Sequence, residues 1–246
     1  MFYRLGIKDS DLVSFEVVVE QTNLYIRAKR NLKEKALRSV TKHRRSLEEY
    51  IQHHPLFLTT LEPYPVEPTA PAIVREMSEA GCIAGTGPMA AVAGAIAEAV
   101  GRNLLPFSPE IIVENGGDIF LKTSWKRLVG IYAGESSFTG KIALEIKPGE
   151  TPLGICTSSA SIGHSLSLGC ADAVVVLSPS TSLADAAATT IGNMVKNAAA
   201  IPRAIDQAKN IPGLRGVIII VGEEMGMWGR VKIVPITGNC RDNQPL

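Results

Sequence analysis

An α+β fold, built of antiparallel sheets with helices packed on them, is predicted by three observations. The chain opens on a period-two apolar alternation that turns back on itself, strands outnumber helices, and those strands fall mostly in hairpin pairs rather than in strict strand-helix-strand alternation. The alternation runs from Leu12 to Glu20, with Phe15, Val17 and Val19 on one face and Ser14, Glu16, Val18 and Glu20 on the other. Gln21-Thr-Asn turns the chain, and Leu24 to Ala28 returns as a second strand. The mostly polar outer face predicts a sheet covered on one side only.

From Leu32 to about His53, Leu37, Val40, Leu47, Tyr50 and Ile51 recur at helical spacing among charges, and Pro55 stops the pattern. Lys29, Arg30, Lys33, Lys35, Arg38, Lys42, Arg44 and Arg45 gather here, a run read as a solvated face. His43, His53 and His54 fall on that face or at its end. Residues 55–71 carry five prolines, too many for a regular element, and read as an extended connector within one domain. A helix starts at Pro71 and stops at Gly81, with glycine as its C-cap. Gly85 to Gly101 has a centre of very small residues, a helix that must pack closely on something flat.

Ile111-Ile-Val-Glu and Asp118-Ile-Phe-Leu-Lys flank a glycine pair as strands of a tight connection. Leu128 to Tyr132 and Ile142 to Ile146 continue the sheet, and Gly154 to Ser158 leads into a glycine- and serine-rich segment. Ala173 to Leu177 is a buried strand by its unbroken apolar run, and Ser182 to about Asn197 is a second small-residue helix. A helix over Pro202 to Lys209 and strands over Gly216–Val221 and Gly229–Val234 complete a single domain spanning 1–236, with 237–246 a loose tail.

Hydrophobic residues make up 46% and charged residues 20% of the 246, enough for a sizeable core and against global disorder. A formal net charge of +1 gives no overall field to hold nucleic acid or an anionic membrane. Cys82, Cys156, Cys170 and Cys240 stand far apart, without zinc spacing. The first residues lack a signal peptide's apolar region and no run reaches spanning length, so a cytoplasmic location is expected.

Four stretches have the residue types of a site. Gly85-Thr86-Gly87 leads into a helix, where exposed N–H groups and the helix dipole suit an anion, although tight packing alone also calls for such glycines. It matches a dinucleotide-binding glycine pattern only partly, because almost nothing strand-like precedes it and Glu110 is poorly placed as the acidic partner. Asn115-Gly116-Gly117-Asp118 reads locally as a hairpin turn, or as backbone laid against a ring or phosphate with Asp118 accepting a hydrogen bond. Thr157-Ser158-Ser159 followed by His164 is a hydroxyl loop without a nucleophile-elbow motif. Asp185 and Thr189, four apart, share a helix face and offer hard oxygens for Mg²⁺; Asp185 equally suits a first helical turn capped by Ser182.

In this order the four stretches resemble the ApbE family, the FAD:protein FMN transferases, over about residues 80 to 195. The Gly-x-Gly-Pro-Met-Ala-Ala-Val-Ala-Gly helix and the Glu-Asn-Gly-Gly-Asp-Ile turn look closer still to a smaller ApbE-related family without an established activity. The resemblance implies an ApbE-like fold similar to the tunnelling fold, with FAD and Mg²⁺ as ligands and an acceptor protein as partner. It implies Gly85, Thr86, Gly87, Gly116, Gly117, Asp118, Thr157, Ser158 and Ser159 as flavin-nucleotide contacts, Asp185 and Thr189 as Mg²⁺ ligands, and Asp185 and His164 as catalytic. Three departures stand out. The transferases' lysine in the glycine-led helix is absent from Met89-Ala-Ala-Val-Ala-Gly94, Ser165-Leu replaces the Asp-Pro after the histidine, and Glu114 stands where they have asparagine. Two readings follow, FMN transfer from FAD or a binding protein for a flavin, nucleotide or other phosphorylated ligand. A purely structural use of the glycines is a third. Whether the small-residue helices pack within one chain or across a homodimer is open at this point.

Overall fold

A computed structural model describes residues 11–159 and 169–236. The opening alternation forms β1 (Val13–Val19) and β2 (Thr22–Ala28), paired in register from Val13↔Ala28 to Val19↔Thr22. β3 (Ile111–Asn115), β4 (Asp118–Lys122), β7 (Leu153–Ser158), β8 (Ala173–Ser178), β9 (Gly216–Val221) and β10 (Glu224–Gly229) extend this into an eight-stranded sheet of order β1-β2-β3-β4-β7-β8-β9-β10. Every described pairing is antiparallel.

One face of this sheet is covered by α1 (Lys33–His53), α3 (Ala72–Ala84), α4 (Val92–Leu104), α5 (Thr181–Met194) and α6 (Ile201–Asn210). The proline-rich connector holds one short helical turn, α2 (Leu56–Thr59), because Phe57 buries its ring against Tyr50 and Tyr64. α3 does not stop at Gly81. That glycine stays helical, packed so closely on Thr86 that a side chain would strike its carbonyl, and the left-handed cap is Gly85 at φ +75°.

The other face corrects two expectations. β5 (Arg127–Gly130) and β6 (Ile142–Ile146) leave the large sheet and form a second one with β11 (Ile233–Pro235), in the order β11-β6-β5. The large sheet is therefore covered on both sides at its centre. The cause is visible in its central strands, whose inward and outward residues are both apolar: Ile119, Leu121, Ile155, Val175 and Ile218 face away from the helices and need a cover. At the β1 edge, Ser14, Glu16 and Val18 of β1 stay exposed and Asn23, Tyr25 and Arg27 of β2 half-exposed, so the face there is open and mostly polar. The expected strand over Gly229–Val234 splits accordingly, because the chain passes from β10 in the large sheet to β11 in the small one at Gly229, φ +91°.

An ionic cluster, buried at Arg127 and Glu110 and open to solvent at Asp11 and Lys29, bolts the small sheet to the large one. Arg127 donates to Asp11 at 2.7 and 3.0 Å and to Glu110 at 2.6 Å, while Lys29 reaches Glu110 at 2.9 Å. Hydrogen bonds from Arg127 and Lys29 hold the Asp11 carboxyl well below the usual carboxylate range. Its contribution to stability is present above the unfolded value of 3.8 and is lost on acidification below it. Arg127→Met should cost about 3 kcal/mol, since it strips a buried carboxylate of one of its two cations; denaturant unfolding measures it, and a loss under about 1 kcal/mol would show the cluster to be ornamental.

Candidate functional site

The glycine-pair turn separates two unlike environments because side chains alternate along the strands that flank it. Gly116 and Gly117 sit at φ +65° and +108°, the two positive φ values that a two-residue hairpin turn of the I′ kind requires, and Asn115 pairs with Asp118 across it. Glu114, Ile119, Thr157 and Ser159 point toward the small sheet; Asn115, Asp118, Cys156 and Ser158 point toward the helices.

On the small-sheet side is a cleft of about 60 Å³. Ile119, Ile155 and Val175 line it from the large sheet, and Val129, Ile131, Tyr132 and Leu144 from the small one. Glu114, the turn glycines and the hydroxyls of Thr157 and Ser159 are its polar edge. The Glu114 carboxylate accepts the Gly117 N–H at 3.0 Å, which stiffens the turn.

On the helix side the structure brings Asp118 and Asp185 together around Cys156. Asp118 accepts from the Thr157 N–H at 3.3 Å and from the Cys156 thiol. The same sulfur lies 3.4 Å from the carbonyl oxygen of Thr181, in the first turn of α5. Asp185, one turn further along, accepts the Gly94 N–H at 2.8 Å. Burial pushes the Asp118 carboxyl up to about 7, with the charge of Glu114 adding to it and the thiol and amide hydrogen bonds opposing. Burial, then the charge of Asp118, raises Asp185 well above the usual carboxylate range against the opposing amides of Gly94 and Ala93. Burial and both carboxylates raise the Cys156 thiol as well.

α4 and α5 cap one another. Glu98 of α4 accepts the Thr181 N–H at 2.6 Å, and Asp185 of α5 accepts that of Gly94. Each carboxylate thus satisfies an amide that the other helix's first turn leaves unpaired. Gly94 is required for the approach, because a side chain there would meet the Thr181 carbonyl and the Asp185 Cβ. The α5 N-cap is Ser180, whose hydroxyl accepts from Leu183, and not Ser182, which is buried.

Gly85-Thr86-Gly87 joins the end of α3 to a 3₁₀ turn and packs on the proline-rich connector rather than opening α4 directly. Gly85 caps α3, and Gly87 donates its N–H to Leu61 at 2.7 Å with the Thr60 backbone packed where a side chain would be. A turn of 3₁₀ helix, Pro88–Ala91, then precedes α4, whose first-turn amides are engaged by Asp185. Thr189 is half-buried and one turn from Asp185 on the same face, as expected, while the neighbouring Thr190 hydroxyl bonds the Ala84 carbonyl. The hydroxyl stretch is divided, with Thr157 and Ser159 at the cleft and Ser158 against Gly192 of α5. His164 lies outside the described residues.

Sequence reasoning missed Asn115, Cys156, Glu98 and Tyr132. Glu98 carried a signal, because 94 and 98 on one helix and 181 and 185 on the other are both one turn apart. Among the described residues no three His, Cys, Asp or Glu side chains converge as a metal cluster. The donor set nearest to one is the Asp185 carboxylate and Thr189 hydroxyl, hard oxygens that suit Mg²⁺ with its shell completed by water and a ligand.

An antiparallel sheet with helices on one face, a small sheet on the other and this hairpin at their junction defines the ApbE-like class of fold. Solved flavin transferases share it: ApbE of Pseudomonas stutzeri has a TM-score of 0.56 at 12% identity, covering 88% of this chain and 94% of that one. ApbE of Vibrio cholerae likewise has 0.56 at 13%, covering 88% and 96%. Within that class the chain belongs to the family described as AbpE bacteria, which it matches over residues 5–223. It is 45% identical to a UPF0280 protein of Methanococcus maripaludis strain C7 over 201 residues, 80% of this chain and 81% of the relative. A UPF0280 protein of Methanocella arvoryzae is 47% identical over 193 residues, 78% of each. Among the described residues no single helix is long and apolar enough to cross a membrane.

Proposed function

We propose that the protein binds FAD across the Gly116–Gly117 turn in the presence of Mg²⁺ and transfers its FMN moiety to a hydroxyl of an acceptor protein. The observation that supports this is the turn's placement. It sets an apolar cleft edged by hydroxyls on one face and two carboxylates with a hydroxyl on the other; at about 60 Å³ the cleft takes the edge of a ring, and a whole flavin ring would have to part the two sheets.

In this reading the turn glycines, which have no neighbouring atom within 4 Å of where a side chain would begin, let the ligand's backbone cross the hairpin. Tyr132 and the aliphatic walls exclude water from the ring, while Thr157 and Ser159 orient its polar edge. Asp185 and Thr189 would hold Mg²⁺, which when bound neutralises pyrophosphate charge as the phosphoanhydride breaks and AMP leaves. The Gly94 amide keeps the Asp185 carboxylate oriented during that step. We assign His164 the proton transfer at the acceptor hydroxyl, from the resemblance alone.

A second reading, a protein that binds such a ligand without transferring it, is favoured by one observation: α4 brings no lysine, and its Arg102 is tied to Glu98 at 2.5 Å. Purified protein mixed with FAD, with and without Mg²⁺, separates the two by binding and AMP release. Turnover with candidate acceptor peptides supports transfer, binding alone supports the second reading, and no binding in either condition sinks both. Asp185→Ala should remove all Mg²⁺ dependence; if it persists, the metal assignment is wrong.

A further inference from the structure

We infer that Asn115 is a positioning residue for the carboxylate pair: it fixes the hairpin to the first turn of α4, beside the amide that holds Asp185, and so sets how Asp118 faces Asp185. This rests on the reading of the pair as the cation and phosphate end of the site.

In an ordinary Asn-Gly hairpin the asparagine is there for its tolerance of positive φ. Here Gly116 and Gly117 supply both positive values, and Asn115 is the last residue of β3 in extended pairing with Asp118. The turn does not need its amide. The side chain instead points to the helices, is 9% exposed, and donates from Nδ2 to the Ala93 carbonyl at 3.1 Å. The next residue, Gly94, gives its N–H to Asp185. Two consecutive residues of α4 therefore hold the two halves of the pair, the hairpin through a carbonyl and α5 through an amide. The Asn115 bond thus ties the strand pair that carries Asp118 to the turn of α4 that holds Asp185. A metal ligand such as Asp185, with a second carboxylate beside it, depends on such fixed spacing, because Mg²⁺ demands near-ideal octahedral geometry.

The test uses the full chain and its equilibrium binding of FAD, followed by flavin fluorescence across a Mg²⁺ series. Asn115→Leu, of similar size and uncharged but without the donor, should raise the Mg²⁺ needed for half-saturation about tenfold. Asn115→Ser, with a donor of shorter reach, should raise it less. FAD binding without Mg²⁺ should stay within about twofold of the unaltered chain. In an Asp185→Asn background, Asn115→Leu should have no further effect. Folded variants with an unchanged Mg²⁺ requirement overturn the inference, as does equal weakening with and without Mg²⁺, which marks mere support of the fold. Should Asn115→Leu fail to fold, Asn115→Ser decides. If the unaltered chain shows no Mg²⁺-dependent FAD binding, the functional reading fails. The same ordering is then sought in Mn²⁺ binding alone by electron paramagnetic resonance, and a chain that binds no Mn²⁺ overturns the inference too.

Discussion

Gly94→Ala should cost about 3 kcal/mol of unfolding free energy and abolish Mg²⁺-dependent FAD binding. A glycine-to-alanine change inside a helix ordinarily gains about 1 kcal/mol. Here the added carbon would stand 2.5 Å from the Thr181 carbonyl oxygen and 2.9 Å from the Asp185 Cβ. Both are backbone or near-backbone atoms of α5, so the whole helix has to back away. Overpacking of this kind costs about 1–3 kcal/mol. The hydrogen bond from Gly94 to Asp185 is stretched as well, and a buried donor left short of its acceptor costs about 1–3 kcal/mol. Urea unfolding and the FAD titration measure the two effects. A variant as stable as its parent, or one that still binds FAD with Mg²⁺, would show that α5 is not seated on this amide.

The second large effect is on pH dependence. In the folded chain the Asp118 carboxyl titrates at about 7, against 3.8 as its ordinary value. Between those values the folded chain holds the extra proton, so stability falls as pH rises through that window and levels off above about 7. Asp118→Asn removes this slope. Without metal, the variant should match the parent near pH 4 and exceed it by on the order of 2–4 kcal/mol at pH 8. His43, lowered by burial and by Lys42, contributes the opposite slope in both proteins and cancels in the difference. Parallel stability curves for the two proteins would contradict the buried-pair arrangement.

The sequence foretold the parts of this fold that short-range pattern controls. The opening hairpin was legible from alternation, α1 from its apolar stripe, and β8 from an unbroken apolar run. The small sheet was not legible, because β5 and β6 look like any further strands until one sees that Ile119, Leu121 and Ile155 leave the large sheet with a second face to cover. Gly87 is ambiguous for a related reason. A glycine required by a close backbone neighbour, here Thr60, has the same letter as one required by a ligand. Asp118 and Asp185 were picked out singly, but their meeting depends on contacts across the sheet and between helices that no local spacing encodes.

The mutual capping of α4 and α5 has a consequence for the order in which the molecule forms. Its two hydrogen bonds join residues 91 and 83 positions apart, whereas the β1–β2 and β9–β10 hairpins close over a few residues. Loop closure on that scale is slow to be rewarded, as it is for the β2–β3 pairing of Leu24 with Asn115, so we expect both to follow the local hairpins, with helix docking past the transition state. Interactions formed that late act on escape from the native state rather than on arrival. Stopped-flow traces should therefore show Mg²⁺ with FAD slowing unfolding while leaving the refolding rate nearly untouched, and the lifetime of the folded protein would then be set by its ligand.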